Sequence, residues 1–487
     1  MAPPSPKAPT ITNVVLIMAD DLDWQTFMQV PRLAALRQQG TTFTSHVVTD
    51  SLCCPSRTSV LRSQFVHNHQ VISNIQATGG GWPTFQARGE QNDCLPTWLS
   101  AAGIRTAMIG KYLNEFPGPG DPKTYVPPGW STWVVPTRNG YEGYNYTLNV
   151  NGVLHKHGNT PSDYLNDVLN EKADAFIRST STPFYLELTP YAPHLPAPVA
   201  PRHANADSSV AVPRTPNYGA IGTGEPSWLA GIPALNEERA ANLDRLWRKR
   251  VRSAEAMADS VETVMATLRA TGKADTTLVL ITSDNGFHAG NHRLSEGKRT
   301  AFREDAVVPL IAIGPGVARG ATVNAVTTTI DFGPTFASIL NASTPTWIDG
   351  RSLLPLLQQP TTPAGWRTAT ITENDGTSLP GDPDFTLQSP PKYVAMRSNQ
   401  WLLVLYANGE RELYNEVTDP YELINIVDST DPSIVDALTA QAQALAVCTG
   451  ATCRVADAMS QPAPGVPVSG SPSSSASSSA SSSASAS

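Results

Sequence analysis

Short, strongly apolar runs recur along the chain, and segments with helical periodicity separate them. Runs of this kind, without polar alternation, are typical of strands that are buried on both faces of a parallel sheet. They are NVVLIMADD from Asn13, IRTAMIGKY from Ile104, PFYLELTPY from Pro183, TTLVLITSDNG from Thr276 and VVPLIAIGPG from Val307. The pattern predicts a mostly parallel sheet whose carboxyl edge is the expected place for ligands.

A long segment between the third and fourth runs repeats apolar residues at intervals of three and four. It extends from Glu237 to Leu268 and predicts an amphipathic helix that packs on the sheet. The runs and the helical segments together predict an α/β sandwich, in which helices cover both faces of a large sheet.

The pattern changes after about residue 365. The stretch YVAMRSNQWLLVLYANGERELYN predicts short antiparallel strands with turns, and PSIVDALTAQAQALAV predicts one helix. The last residues are mostly Ser, Ala and Pro and have too little apolar surface to fold. We predict a large α/β domain over residues 1–365, a smaller α+β domain with an antiparallel sheet over residues 366–458, and a disordered tail over residues 459–487.

Composition and charge limit the possible partners and compartments. A formal net charge of -8 with 16% charged residues offers no basic surface for nucleic acid. No apolar run approaches the roughly 20 residues of a transmembrane helix, so no transmembrane segment is expected. The spacing of Cys448 and Cys453 in CTGATC predicts a disulfide bond. Such a bond favours a secreted or periplasmic protein whose signal sequence has been removed.

Two of the apolar runs end in side chains that carry oxygen ligands. Asp20 and Asp21 follow the first run, and Asp284 and Asn285 follow the fourth. Either pair alone is better explained as a helix cap or a turn. Their occurrence at two strand ends favours a site for a hard divalent cation.

The segment SLCCPSRTSV, Ser51 to Val60, places two cysteines directly before a proline, a serine and an arginine. A catalytic thiol would need a nearby base, whereas a buried pair of apolar cysteines would need none. If a helix starts at Pro55, Arg57 lies close enough to stabilise negative charge near Cys53. By itself the motif leaves its chemistry open.

The motif CCPSR resembles the Cys-x-Pro-Ser-Arg signature of type I sulfatases, in which the first cysteine is converted to formylglycine. The chain is identified as a member of this family over roughly residues 11–455, because further segments match in family order. These are VVLIMADDLD from Val14, IGKYL from Ile109, APHLP from Ala192, SDNGFHAG from Ser283 and ELYNEVTDPYELINI from Glu412. The resemblance implies an alkaline-phosphatase-like sandwich with a smaller C-terminal α+β domain.

Within the family, CCPSR, VHNHQV, GKYLNEF and DNGFH are most similar to the N-acetylglucosamine-6-sulfatase branch, which acts on sulfated glycosaminoglycans. Bacterial arylsulfatases are similar as well. The resemblance implies a calcium ion that touches residue 53 and is bound by Asp20, Asp21, Asp284 and Asn285. It also implies a formylglycine derived from Cys53.

Roles for the basic residues also come from the resemblance. It implies that Arg57 holds the hydrated aldehyde, and that Lys111 and Lys298 contact the sulfate and its bridging oxygen. It further implies that His194 donates a proton to the leaving oxygen. Without the family match, His194 could equally be a surface loop histidine, and Lys298 would be read as part of a solvated charge cluster.

Two departures from the family pattern stand out. Many members carry a histidine two residues after the lysine of GK, where this chain has Leu113. That histidine acts as a base, and His288 is the candidate to replace it, with His69 behind it. In LRSQ, Arg62 and Ser63 stand where Thr-Gly is usual. This second departure bears on how well the converting enzyme handles the segment.

The sequence therefore predicts a calcium-dependent sulfate ester hydrolase that uses formylglycine at position 53. Its expected partners are a sulfated small molecule or glycan and a formylglycine-generating enzyme. Two alternatives remain open. One is a phosphomonoester or phosphonate hydrolase of the same superfamily, and the other is a glycan-binding protein in which Cys53 stays a thiol.

Overall fold

A ten-stranded mixed sheet lies at the centre of the molecule. The computed structural model describes residues 11–206, 209–375, 378–382 and 384–463. The strands within these ranges are β1 (Asn13–Ala19), β2 (Thr41–Phe43), β3 (His46–Val47), β4 (Arg105–Gly110), β5 (Thr132–Arg138), β6 (Thr147–Val150), β7 (Val153–Lys156), β8 (Phe184–Thr189), β9 (Thr277–Ser283), β10 (His288–Ala289), β11 (Glu296–Gly297), β12 (Leu310–Ile313), β13 (Thr322–Val323), β14 (Thr327–Thr328), β15 (Ala369–Asn374), β16 (Tyr393–Ser398), β17 (Trp401–Tyr406) and β18 (Arg411–Asn415). The central sheet has the order β13-β2-β12-β9-β1-β8-β4-β5-β6-β7.

Helices cover both faces of this sheet. The α-helices are α1 (Trp24–Gln29), α2 (Pro31–Ala34), α3 (Cys53–Arg62), α4 (Val66–His69), α5 (Gly81–Ala87), α6 (Leu95–Ala101), α7 (Leu165–Ser179), α8 (Ser227–Ala230), α9 (Glu237–Ala270), α10 (Arg303–Ala306), α11 (Phe332–Ile339), α12 (Leu354–Gln358), α13 (Pro432–Ala446) and α14 (Ala451–Ala456). The predicted long helix is thus confirmed as α9, which begins at Glu237 and ends two residues beyond Leu268.

The five predicted strands are all present, as β1, β4, β8, β9 and β12. Strands β9, β1, β8, β4 and β5 lie side by side in this order and run parallel to one another. Strand β12 is antiparallel to β9 and to β2, β6 is antiparallel to β5 and to β7, and the edge strand β13 is parallel to β2. The centre of the sheet is therefore parallel, as the apolar runs predicted, and antiparallel pairs flank it on both sides.

Strand β1 shows why continuous apolar runs form this layer. Successive side chains of a strand point to opposite faces. Val15, Ile17 and Ala19 pack with the helices α7 and α9 on one face. Val14, Leu16 and Met18 pack with α3, α6 and α11 on the other. Every residue of β1 is buried, so the strand needs apolar side chains on both faces.

The smaller C-terminal part contains an antiparallel sheet in the order β15-β16-β17-β18. Helix α13 packs on this sheet through Val435, Leu438 and Leu445. The predicted disulfide bond between Cys448 and Cys453 is confirmed.

The limits of the domains remain predictions, and the predicted tail lies, from residue 464 onward, outside the described residues. Within the part of the chain that the structure describes, none of the helices combines the length and the apolar character that a membrane crossing requires.

Candidate active site

Polar side chains from two neighbouring strands meet at the carboxyl edge of the central sheet. Ala19 at the end of β1 lies opposite Ser283 at the end of β9, so the residues that follow each strand are neighbours. The backbone N–H of Asp21 donates to Asp284 Oδ1 at 3.2 Å, and Asn285 Nδ2 donates to Asp21 Oδ1 at 2.7 Å. Asp21 has a φ of 65°, a left-handed conformation that is uncommon for residues other than glycine.

Cys53 is the first residue of α3 and is fully buried. Its Sγ lies 3.4 Å from Asp20 Oδ1 and 3.9 Å from Asp21 Oδ1. Lys298 Nζ lies 2.9 Å from the same sulfur. Burial raises the pKa of the Cys53 thiol well above its ordinary value, despite the nearby charges of Lys111 and Lys298. As an unmodified cysteine, Cys53 would therefore be a neutral thiol at pH 7.

Arg57 lies one helical turn after Cys53 and faces the same edge of the sheet. Its Nε donates to Asp284 Oδ2 at 2.8 Å, and its Nη1 donates to the carbonyl oxygen of Lys111 at 2.9 Å. Burial acts to raise the pKa of Asp284, but the positive charges of Arg57, Lys111 and Lys298 lower it to about 2. Arg57 thus joins the helix to the ends of β4 and β9.

Two buried lysines neutralise the two aspartates that follow β1. Lys111, directly after β4, places Nζ 2.7 Å from Asp20 Oδ2. Lys298, directly after β11, places Nζ 2.6 Å from Asp21 Oδ1. Lys111 also lies beneath the Tyr141 ring, with Nζ 5.1 Å from the ring centroid. Because an unpaired buried charge is costly, each lysine and aspartate depends on its partner.

His194 lies in the loop that follows β8. Its Nε2 is 3.7 Å from Asp21 Oδ2, and its Nδ1 is 2.5 Å from the carbonyl oxygen of Leu195. The ring packs against Tyr141 with centroids 4.5 Å apart. Burial acts to lower the pKa of His194, but the nearby carboxylates, with Asp20 first, raise it above its ordinary value. His194 is therefore a candidate proton donor beside residue 53.

Three of the predicted metal ligands lie in a group of side chains that could hold a cation. Ligand atoms of Asp20, Asp21, Cys53 and His194 all lie within 4.8 Å of one another. Asn285 Oδ1 is buried and has no hydrogen-bond partner among the described residues. A set of carboxylate and amide oxygens suits a hard ion such as calcium. The Asp284 oxygens are held by Arg57 and by backbone N–H groups.

Within the part of the chain that the structure describes, the two histidines predicted as replacement bases form their hydrogen bonds outside this cluster. His288 Nδ1 lies 2.8 Å from Asp305 Oδ2, and His288 faces Gly297 across the β10–β11 pair. His69 Nε2 lies 2.9 Å from Ser59 Oγ, and its Nδ1 accepts from the Val71 N–H at 3.1 Å. Ser59 lies six positions after residue 53 in the helix, about 9 Å along the axis. Both rings are thus held by partners outside the cluster.

Asp384 belongs to the site but was not predicted from the sequence. Its Oδ1 is 2.9 Å from Lys298 Nζ and 3.1 Å from His194 Nε2. Its Oδ2 is 3.7 Å from Cys53 Sγ and accepts from Asn74 Nδ2 at 2.7 Å. Asp384 lies in the connection between β15 and β16, in a turn-like stretch that carries no recognisable motif.

Two cavities open beside the cluster. The first, of about 290 Å³, includes Lys111, Leu113, Asn114, Arg138, Tyr141 and Tyr191 in its lining. The second, of about 270 Å³, includes Asp21, His194, Phe287, Lys298, Asp384 and Phe385 in its lining. Lys111 and Lys298 thus line spaces that are large enough to admit part of a small molecule.

The Sulfatase family model matches residues 12–342. The chain belongs to the sulfatase family. A second model, described as N-sulphoglucosamine sulphohydrolase, C-terminal, matches residues 290–447. The prediction of a sulfatase, and hence of a hydrolytic enzyme, is confirmed.

Curated relatives of this sulfatase agree with the branch that the motifs indicated. The N-acetylglucosamine-6-sulfatase of Capra hircus is 34% identical over 476 residues, which cover 91% of this chain and 84% of the goat protein. The human N-acetylglucosamine-6-sulfatase is 33% identical and is covered to 86%. An arylsulfatase of Volvox carteri is 29% identical, over 91% of this chain and 75% of the algal protein.

Solved structures confirm the predicted fold class, an alkaline-phosphatase-like sandwich with a smaller antiparallel sheet. A protein solved in complex with its substrate, D-glucosamine-2-N,6-O-disulfate, superposes with a TM-score of 0.73 at 21% identity, covering 90% of this chain and 97% of that one. A phosphonate monoester hydrolase from Silicibacter pomeroyi superposes with a TM-score of 0.67 at 22% identity, covering 89% and 94%. At such identities the likeness concerns the fold alone.

Proposed function

We propose that this sulfatase hydrolyses sulfate monoesters of sugars, with N-acetylglucosamine 6-sulfate as the representative substrate. The observation that carries the proposal is the position of Cys53, which lies in contact with Asp20 and Lys298 at the start of a buried helix. Relatives named N-acetylglucosamine-6-sulfatase cover most of the chain, and a cavity of about 290 Å³ beside Lys111 offers room for a sugar ring. Aryl sulfates are the second expected class of substrate.

Cys53 is the residue we expect to be converted to formylglycine, because it stands two places before Pro55 in the signature. In the hydrated form of this aldehyde, one hydroxyl group of residue 53 would attack sulfur as the alcohol leaves, and the second would expel sulfate by restoring the aldehyde. Arg57 is anchored on Asp284 at 2.8 Å and would keep a fixed positive charge one turn from the reacting side chain.

Lys111, Lys298 and His194 would act on the ester itself. Lys298 Nζ lies 2.9 Å from Cys53 Sγ, the atom that marks where the oxygens of a formylglycine would be. The two ammonium groups would oppose the negative charge that grows on the ester oxygens as the S–O bond breaks. His194 would donate a proton to the leaving oxygen, which lets the sugar depart as a neutral alcohol.

Asp20, Asp21, Asp284 and Asn285 would hold a calcium ion. When bound, the ion would withdraw charge from the sulfate. The support is the unpartnered Oδ1 of Asn285 and the close approach of the Asp20 and Asp21 carboxylates. Several buried carboxylates at one edge of the sheet need positive charges close by, and Lys111 and Lys298 supply two of them.

The direct test is hydrolysis of N-acetylglucosamine 6-sulfate and of 4-nitrophenyl sulfate by protein co-produced with a formylglycine-generating enzyme. Cys53→Ala is expected to abolish turnover, whereas the matched variant Cys54→Ala retains it. Mass spectrometry of the peptide that contains residue 53 reports the modification separately. Faster hydrolysis of 4-nitrophenyl phosphate than of either sulfate would favour the phosphomonoesterase alternative. An active enzyme with wholly unmodified Cys53 would contradict the role of formylglycine.

Export of the protein is part of the proposal. The Cys448–Cys453 disulfide supports an oxidising compartment, because such bonds are rare in the cytosol. A relative named extracellular sulfatase SULF-1 homolog, from Drosophila melanogaster, is 35% identical over 71% of this chain and 31% of its own length. Detection of the protein in the medium or periplasm of its native host, with this disulfide formed, tests the proposal.

A further inference from the structure

Asp384 places a negative charge beside the position where the ester must bind. Its side chain is only 7% exposed. One oxygen contacts Lys298 at 2.9 Å and His194 at 3.1 Å, and the other lies 3.7 Å from Cys53 Sγ. The carboxylate thus lies between the groups expected to meet the sulfate and its leaving oxygen.

Contacts other than those with Lys298 and His194 also hold Asp384 in this place. Asn74 Nδ2 donates to Asp384 Oδ2 at 2.7 Å, and Asn74 Oδ1 accepts from the Cys54 N–H at 2.9 Å. The Asp384 N–H donates to Asp382 Oδ1 at 3.0 Å. These bonds tie Asp384 to the start of α3 and to the connection between β15 and β16. None of them involves Lys298 or His194, so they do not compete with a substrate for those two groups.

We propose that Asp384 is a specificity-determining residue that favours monoanionic sulfate esters over dianionic phosphate esters. The inference rests on the proposed function. A sulfate monoester carries one negative charge, whereas a phosphate monoester carries about 1.5 to 2 negative charges at pH 7 because its second pKa is about 6. A fixed carboxylate a few ångströms away repels the second charge as strongly as the first. The repulsion from Asp384 therefore costs a dianion roughly twice as much binding energy as a monoanion.

The test uses two inert ligands of similar shape that differ in charge, phenylsulfonate and phenylphosphonate. Their dissociation constants are measured by calorimetry on the wild-type protein and on Asp384→Asn, with calcium held constant. In the wild type we expect tighter binding of the sulfonate. In Asp384→Asn we expect the ratio of the two constants to shift towards the phosphonate by about 10-fold or more. The shift should be large at pH 8 and small at pH 5, where the phosphonate loses its second charge.

Further variants separate charge from packing. Asp384→Glu keeps the charge and is expected to keep the wild-type ratio, and Asp384→Ala serves as a second neutral variant should Asp384→Asn fold poorly. Gln388→Ala is the matched control, because Gln388 lies in the same β15–β16 connection as Asp384. It carries no charge, and its side chain accepts a hydrogen bond from the Ser295 N–H at 2.8 Å. A ratio that is unchanged in both neutral variants, or that Gln388→Ala shifts equally, overturns the proposal. Because binding is measured without turnover, these results stand apart from any failure to detect sulfate ester hydrolysis.

Discussion

The buried ion pair between Arg57 and Asp284 carries a prediction about stability. The two side chains are 3% and 0% exposed, and Arg57 also holds the carbonyl oxygen of Lys111. The substitution Arg57→Gln removes the charge and leaves Asp284 buried without its partner. Loss of one member of a buried pair costs about 3–5 kcal/mol. A hydrogen bond to a charged group is worth about 1.5–3 kcal/mol, so the lost contacts are consistent with this range.

A surface arginine provides the matched control. Arg32 bonds Glu255 at 2.6 Å and Asp259 at 2.8 Å, but its side chain is 33% exposed. Ion pairs of this kind contribute about 0–1 kcal/mol because water and salt screen them. We therefore expect Arg32→Gln to lower the free energy of unfolding by no more than about 1 kcal/mol.

Urea denaturation at pH 7, with calcium held constant, measures both variants. The double variant Arg57→Gln/Asp284→Asn removes the unpaired charge as well, so it should regain about 1–3 kcal/mol relative to Arg57→Gln alone. Equal losses for Arg57→Gln and Arg32→Gln, or a double variant that is less stable than the sum of its parts, would refute the reasoning.

Four further predictions concern metal, pH, the disulfide and the base. Calcium at about a thousandfold its Kd should stabilise the wild type by about 4 kcal/mol, which thermal unfolding reports as a rise in Tm. Asp21→Asn should abolish this rise. Burial raises the pKa of Glu187 from 4.5 to about 7. Between pH 4.5 and about pH 7 the folded chain therefore keeps a proton that the unfolded chain loses. The free energy of unfolding falls as the pH rises through this range. Glu187→Gln should remove about 2.5 kcal/mol of that fall, measured by urea denaturation at pH 5 and pH 8. Cys448→Ser should cost about 2 kcal/mol in urea, because the closed loop is short, and reduction of the wild type should match it. If His288 is the base, His288→Asn should reduce kcat by about 100-fold or more at unchanged Tm; a lower Tm with normal kcat would assign it to packing with its partner Asp305.

The strands and the metal-ligand candidates were predictable because their signals are local. Each central strand is buried on both faces, so its composition alone identifies it. The pairs that begin at Asp20 and Asp284 follow such strands directly. Adjacent parallel strands then bring the pairs together, as the opposition of Ala19 and Ser283 shows. The disulfide was predictable for the same reason, since its two cysteines are five residues apart.

The contribution of the C-terminal part was not predictable, because nothing local distinguishes it. Asp384 lies in a stretch of Gly, Pro and Asp residues, which by composition predicts only turns. Its partners Cys53 and His194 are 331 and 190 positions away in the chain. For His288 the position in the chain was predictable but the direction of its ring was not, and the ring is held by Asp305.

The charges around residue 53 bear on the choice of substrate. The aspartates at positions 20, 21, 284 and 384 carry four negative charges, and Arg57, Lys111 and Lys298 carry three positive ones. With His194 protonated, as its proposed role of proton donor requires, these side chains sum to a net charge of zero. Without Asp384 they would sum to plus one. Asp384 thus lowers by one unit the net positive charge that an ester meets, whatever a bound ion adds. On our proposal this costs a dianionic phosphate ester about twice as much binding energy as a monoanionic sulfate ester, because each charge of the ester interacts with the carboxylate separately.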